Sequence, residues 1–178
     1  SIKDAANSLH EDGVFIAQLM CLNSMIKKND LGNICHEHIE FYSHKSLIYL
    51  VEKNGLEIFK IEEHDVNGGS YRIFCRKYRN GSISLKKENN LNNMLKFKRN
   101  IEFNKKRTVD FIKKEFEKGK KIFLYGASTK GNTVLQYYKM SNKFIPYAAE
   151  RSRAKWGKYT IGTGIKIISE NDARKMSP

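Results

Sequence analysis

Hydrophobic and polar positions follow two rhythms along this chain, and the changes between them predict its elements. Residues 2–9 carry apolar side chains at helical spacing, and Asp12-Gly13 turns the chain behind them. Residues 14–19 form a short apolar run with the length of a buried strand. Ser43 is placed to cap a helix through Leu47, Leu50 and Val51, which Asn54-Gly55 would end. Residues 56–63 and 70–77 read as strands; in the second, Tyr71, Ile73 and Cys75 fall on one face and Arg72, Phe74 and Arg76 on the other. A polar stretch at 79–90 breaks the pattern and reads as a linker between residues 1–78 and residues 91–178.

Beyond it, residues 91–118 predict a long helix whose apolar stripe includes Val109, Ile112 and Phe116, with Gly119 as its stop. A strand at 121–125, a small polar loop at 126–130, a helix at 131–140 and strands at 144–149 and 164–168 follow. Ser169 caps a short last helix. The fold class is therefore α/β. The first part reads as the tail of an α/β domain, and the second, strand-loop-helix-strand, as an incomplete doubly wound domain.

Composition narrows the classes. With 178 residues, 40% hydrophobic and 11% aromatic, the chain is globular rather than disordered. No apolar run reaches the length of a bilayer span, and the amino terminus has no signal-peptide pattern. Three widely spaced cysteines, Cys21, Cys35 and Cys75, suggest neither a metal pair nor a disulfide framework, so a cytoplasmic location is expected. The net charge of +14 suits a phosphorylated small molecule, acidic lipid or nucleic acid. The lysines scatter through both parts rather than cluster, and no nucleic-acid motif accompanies them, so a nucleic-acid binder is not expected.

Three segments carry candidate chemistry. The loop 125–133, containing Gly126, Ser128, Lys130, Gly131, Asn132 and Thr133, joins an apolar strand to a helix. Glycine lets a ligand approach the backbone, the helix amino terminus offers N–H groups, and Lys130 adds a charge, which together suit an anion. The spacing is neither a Walker A loop nor GxGxxG, and the alternative is an ordinary strand-to-helix turn. The second segment is Cys35-His36-Glu37-His38. No third ligand is evident nearby, with His44 and His64 as unpersuasive candidates, which weakens a metal reading. Histidine titrates near neutral pH and a neighbouring carboxylate can orient it, which suits acid/base chemistry; a polar surface loop is the alternative. The third is Asn67-Gly68-Gly69, a turn that also suits a plain hairpin connection. Glu150 and Lys155 follow a strand end, where ligands gather in doubly wound sheets.

Taken in order, DGVF at 12–15, HEHIEFYS at 36–43, LxxLxxxxGLEIF at 47–59, HDVNGGSYR at 64–72, LYGASTKGNT at 124–133 and ERSRAKWGKYTIGTGIKIIS at 150–169 resemble bacterial S-adenosylmethionine-dependent C-methyltransferases that act on nucleotide-linked keto-deoxysugars. The resemblance covers nearly the whole chain. It implies a class I methyltransferase domain, of which this chain holds the carboxy-terminal part, followed by an incomplete Rossmann-like domain. It also implies S-adenosylmethionine bound mainly by a segment outside this chain, and zinc only in a preceding domain. His38 matches the family's base, with Glu37 beside it. Cys35 stands where the family often has tyrosine, so no phenol acts there. Cys35, His36, Asn67, Gly68, Gly69, the 126–133 loop, Glu150 and Lys155 match substrate-facing positions. The partner expected is a small nucleotide-sugar-like molecule, not a membrane; the alternative is a non-catalytic nucleotide- or phosphate-binding module.

Overall fold

The structure, a computed structural model, describes residues 1–84 and 90–178, and the side chains of all of these except Asn67 and Asn90. Residues 85–89 of the expected linker lie outside the described residues. The chain is mixed α/β with two three-stranded sheets and divides into two compact units. One comprises Ser1–Asp30 and Glu40–Phe97; the other comprises Leu31–Ile39 and Lys98–Pro178.

The first unit begins with α1 (Ile2–Ser8), whose amino terminus is closed by a capping box between Ser1 and Asp4. It continues with β1 (Phe15–Met20), α2 (Leu22–Lys28), α3 (His44–Lys53), β2 (Leu56–His64) and β3 (Ser70–Lys77). Ser43 caps α3 as its position suggested, accepting a bond from the Ser46 amide while the Ser46 hydroxyl accepts one from the Ser43 amide. The sheet order is β1-β3-β2, and β3 runs antiparallel to both neighbours, so β1 and β2 run parallel to each other. The period-2 pattern of β3 turns Tyr71, Ile73 and Cys75 inward, where they are buried with Leu47, Val51, Leu56 and Ile58. Burial of each large aliphatic side chain contributes about 1.5–3 kcal/mol. Burial also pushes the Cys75 thiol up to about 12, so it behaves as a small apolar side chain.

Glu57 is a charged residue in this core, with no exposed surface. Its carboxylate accepts bonds from the amides of Arg79, Asn80 and Gly81 at 2.7–2.9 Å and from Arg76 Nε at 2.7 Å. Ile58 donates to Ser82 Oγ, and the Ile83 amide to Ile58 O. The start of the expected linker is thus pinned to β2.

The helix α4 (Asn90–Glu117) contains the division between the units, after Phe97. The second unit holds its remaining turns, β4 (Phe123–Tyr125), α5 (Thr129–Tyr138), β5 (Tyr147–Glu150), β6 (Lys166–Ser169) and α6 (Glu170–Lys175). Its sheet is wholly parallel, in the order β4-β5-β6. Val109 and Ile112, two members of the predicted stripe of α4, pack on a core of Leu135, Ile145, Ala148, Ile165 and Ile167. Phe116 meets Phe144 edge-on, with ring centroids 5.3 Å apart. Gly119 ends the region with φ +76°, a conformation that glycine adopts without strain. The strand expected at 121–125 is only three residues long, because its pairing with β5 begins at Phe123. Among the described residues no helix is long and apolar enough to cross a membrane.

Candidate functional site

In the parallel sheet, β4 runs directly into the loop that opens α5. Gly126 sits at φ +91°, and its amide donates to Ala149 O on the neighbouring strand at 2.7 Å. Ser128 is the cap of α5; its hydroxyl accepts from the Gly131 amide at 3.1 Å and its carbonyl from the Asn132 amide at 3.0 Å. Thr133 turns its hydroxyl back to Thr129 O at 3.3 Å. Asn132 keeps a buried Oδ1 with no bonded partner among the described residues. Among the described residues the amides of Ser128 and Thr129 meet no protein acceptor, so two N–H groups remain at the positive end of the helix. Lys130 is half-buried in the first turn.

The carboxylate of Glu150, at the end of β5, shapes this loop. It accepts from the Ala127 amide at 2.8 Å and from the Ser152 amide at 3.0 Å. Lys155 Nζ bridges the same two parts, donating to Ala127 O at 2.8 Å and lying 3.4 Å from the carboxylate. These amides and the nearby ammonium hold the Glu150 carboxyl at about 2, far below the usual carboxylate range. Trp156 Nε1 donates to Glu150 O at 2.7 Å and closes the group. Glu150 and Lys155, read in the sequence as contacts for a ligand, are joined here to the loop itself.

The His-Glu-His segment lies in the same unit. Residues 31–39 leave the first unit after α2 and return to it at Glu40. The short 3-10 turn Leu31–Asn33 is buried and packs on α5. The amide of His38 donates to Cys35 O at 3.0 Å, so Cys35, His36, Glu37 and His38 form one turn. His38 Nδ1 lies 2.8 Å from the carbonyl oxygen of Asn33. A carbonyl only accepts, so Nδ1 carries the proton, and in the neutral ring the lone pair sits on Nε2. His38 and Cys35 are half-buried, whereas His36 and Glu37 are exposed. Among the described residues no ion pair or hydrogen bond joins Glu37 to either imidazole, so the orientation of His38 comes from the backbone rather than from its acidic neighbour. No group of three or more His, Cys, Asp or Glu side chains among the described residues could hold a metal ion.

The third sequence candidate belongs to the first unit. Val66–Gly68 is a 3-10 turn joining β2 to β3, and the side chain of Asn67 lies outside the described residues. Gly68 has φ +93° and Gly69 φ +131°. A Cβ on Gly69 would lie 2.2 Å from Ser24 Cβ, and the Gly69 carbonyl accepts from the Cys21 amide at 3.1 Å. Close packing against α2 accounts for the glycine at 69.

Two residues of the site escaped the sequence reading. Gly32 permits the contact between the 31–33 turn and Lys130, and Asn33, only 2% exposed, supplies the carbonyl that orients His38. Neither has a side-chain chemistry that draws notice; the Leu-Gly-Asn turn before the histidines was the one available clue.

In this mixed α/β chain the oriented imidazole of His38 and the start of α5 lie in one unit. The comparisons name its family. Residues 65–178 match the C-methyltransferase C-terminal domain, and the chain belongs to that family. It is also 26% identical, over 182 aligned residues, to the C-methyltransferase NovU of Streptomyces niveus. That alignment covers 96% of this chain and 43% of the relative, so the chain spans less than half the length of the relative it matches.

Proposed function

We propose that this chain forms the substrate-handling part of a C-methyltransferase acting on a nucleotide-linked keto-deoxysugar or a similar enolisable small molecule. One observation carries the reading: His38 is held as the Nδ1–H tautomer by the Asn33 carbonyl, in the unit that also contains the start of α5. That tautomer leaves Nε2 as a base. The methyl donor, S-adenosylmethionine by the family resemblance, is assigned to residues outside this chain, and it would supply an electrophilic methyl group.

The residues here act on the substrate's proton. His38 Nε2 takes the hydrogen from the carbon beside the ketone, and the C–H electron pair passes into the enolate. The imidazolium that forms keeps its Nδ1–H bond to Asn33, which strengthens as the ring becomes charged. The amides of Ser128 and Thr129, with Lys130, hold the diphosphate of the nucleotide. Glu150 and Lys155 keep that loop in shape, and Glu37, exposed beside His38, faces the substrate's approach.

The test is solvent exchange by the full-length protein. Incubated in D2O with substrate, the wild type exchanges the hydrogen next to the ketone, and His38→Ala loses that exchange together with methylation. Exchange at the wild-type rate in His38→Ala would remove the base assignment.

A further inference from the structure

The buried turn Leu31–Asn33 reaches α5 with backbone, not side chain. A Cβ placed on Gly32 would lie 2.8 Å from Lys130 Cβ, 3.1 Å from Lys130 O and 3.3 Å from Lys130 Cα. Contacts this short against a helix's own backbone and first side-chain carbon cannot be relieved by a rotamer change. Leu31 and Asn33 on either side are themselves buried, at 8% and 2% exposure, so the turn has little freedom to move aside. The next residue, Asn33, presents the carbonyl that holds His38 Nδ1, and the segment to His38 is only five residues long. A displacement at Gly32 therefore passes straight to the imidazole.

We infer that Gly32 is a positioning residue for His38: its missing side chain lets the 31–33 turn rest directly on Lys130, which fixes the imidazole relative to the first turn of α5. The inference rests on the proposed role of His38 as base. Gly32 touches no reacting atom. It sets the distance between the place where the substrate's anion binds and the place where its proton is lost. Misplacement of such a group by about 1 Å can cost about 100-fold in turnover.

The experiment compares Gly32→Ala, Lys130→Gly and the double variant in the full-length protein, with His38→Ala as reference. Steady-state methylation, D2O exchange and a thermal melt are read for each. Gly32→Ala should lower kcat and exchange by about 100-fold while the substrate KM stays within about 3-fold. Removing the Lys130 side chain takes away the 2.8 Å contact. The methyl group added by Gly32→Ala should therefore cost much less in the Lys130→Gly background than alone, and that recovery is what a merely structural glycine would not show. An equal loss in both backgrounds overturns the positioning role, as does an unchanged kcat in a folded Gly32→Ala. If Gly32→Ala fails to fold alone, kcat, KM and exchange of the double variant are read against Lys130→Gly: a loss of kcat at unchanged KM keeps the positioning role, and an unchanged kcat overturns it. Exchange persisting in His38→Ala sinks the base reading alone, whatever the glycine does.

Discussion

Two carboxylates, one in each unit, are held at about 2 by backbone amides, and the comparison between them separates folding from function. Glu57 takes three consecutive amides and an arginine, all from its own unit, and ties the segment after β3 back onto β2. Glu150 takes two amides, and one of them, from Ala127, belongs to the loop that opens α5. The electrostatics are alike: N–H groups aimed at an oxygen favour the ionised form. What differs is the group at the other end. Behind Glu57 lies a connection that carries no candidate chemistry, and behind Glu150 lies the start of the helix proposed to hold the diphosphate. A strongly shifted acid is therefore not in itself a mark of a functional site.

The comparison can be broken most sharply at turnover. Loss of His38 in the full-length protein should lower kcat by about 10²–10⁴-fold, whereas Glu57→Gln should leave kcat per folded molecule within about 2-fold and lower the Tm instead. Kinetics normalised to the folded fraction, with a thermal melt on the same samples, check both; a kcat loss in folded Glu57→Gln would merge the two roles. In the first unit, Ile73→Ala empties part of the core around α3 and should cost about 2–5 kcal/mol in denaturant unfolding. In the second, Lys130→Ala should weaken binding of a nucleoside diphosphate by about 10-fold, roughly what loss of one charge-assisted hydrogen bond brings. Titration calorimetry gives the value, and unchanged affinity would return the loop to an ordinary turn.

The smallest effect is on pH. Both glutamates have folded-state values below their unfolded ones, so their stabilisation is complete above an ordinary pKa of about 4.3. It fades as the pH falls from there towards about 2. Between pH 5 and 8 neither should contribute a slope to the Tm, and replacing either by glutamine should flatten the decline below pH 4. A decline of unchanged steepness in both variants would show that other carboxylates cause it.

Much of the fold was legible because its cause is local. The caps Ser43 and Ser169, the alternation that buries Tyr71, Ile73 and Cys75, and the stop at Gly119 each depend on a few neighbouring residues. The illegible parts depend on partners far along the chain. Glu57 looks like the outward residue of a half-buried strand until the amides of residues 79–81 arrive, and amides leave no mark in a sequence. Residues 31–39 look like part of the first unit, between two of its helices, and only the packing on α5 assigns them to the second. The histidines were noticed as chemistry, but the carbonyl that sets the tautomer of His38 belongs to Asn33, whose side chain gave no hint of it.

That excursion of residues 31–39 has a consequence for how the protein is made. Gly32 and Lys130 are about 100 residues apart, so the segment bearing His38 leaves the ribosome long before the helix it rests on. At about 5–20 residues per second, the wait is roughly 5–20 s. During that time the apolar surface of Leu31 and the polar surface of Asn33, both buried in the finished unit, stay uncovered. The second unit cannot close as a nascent domain in simple amino-to-carboxyl order. A polypeptide beginning at residue 98 would lack the strip that α5 covers, and the chain must keep a loop of its first-made part open until the last-made part arrives.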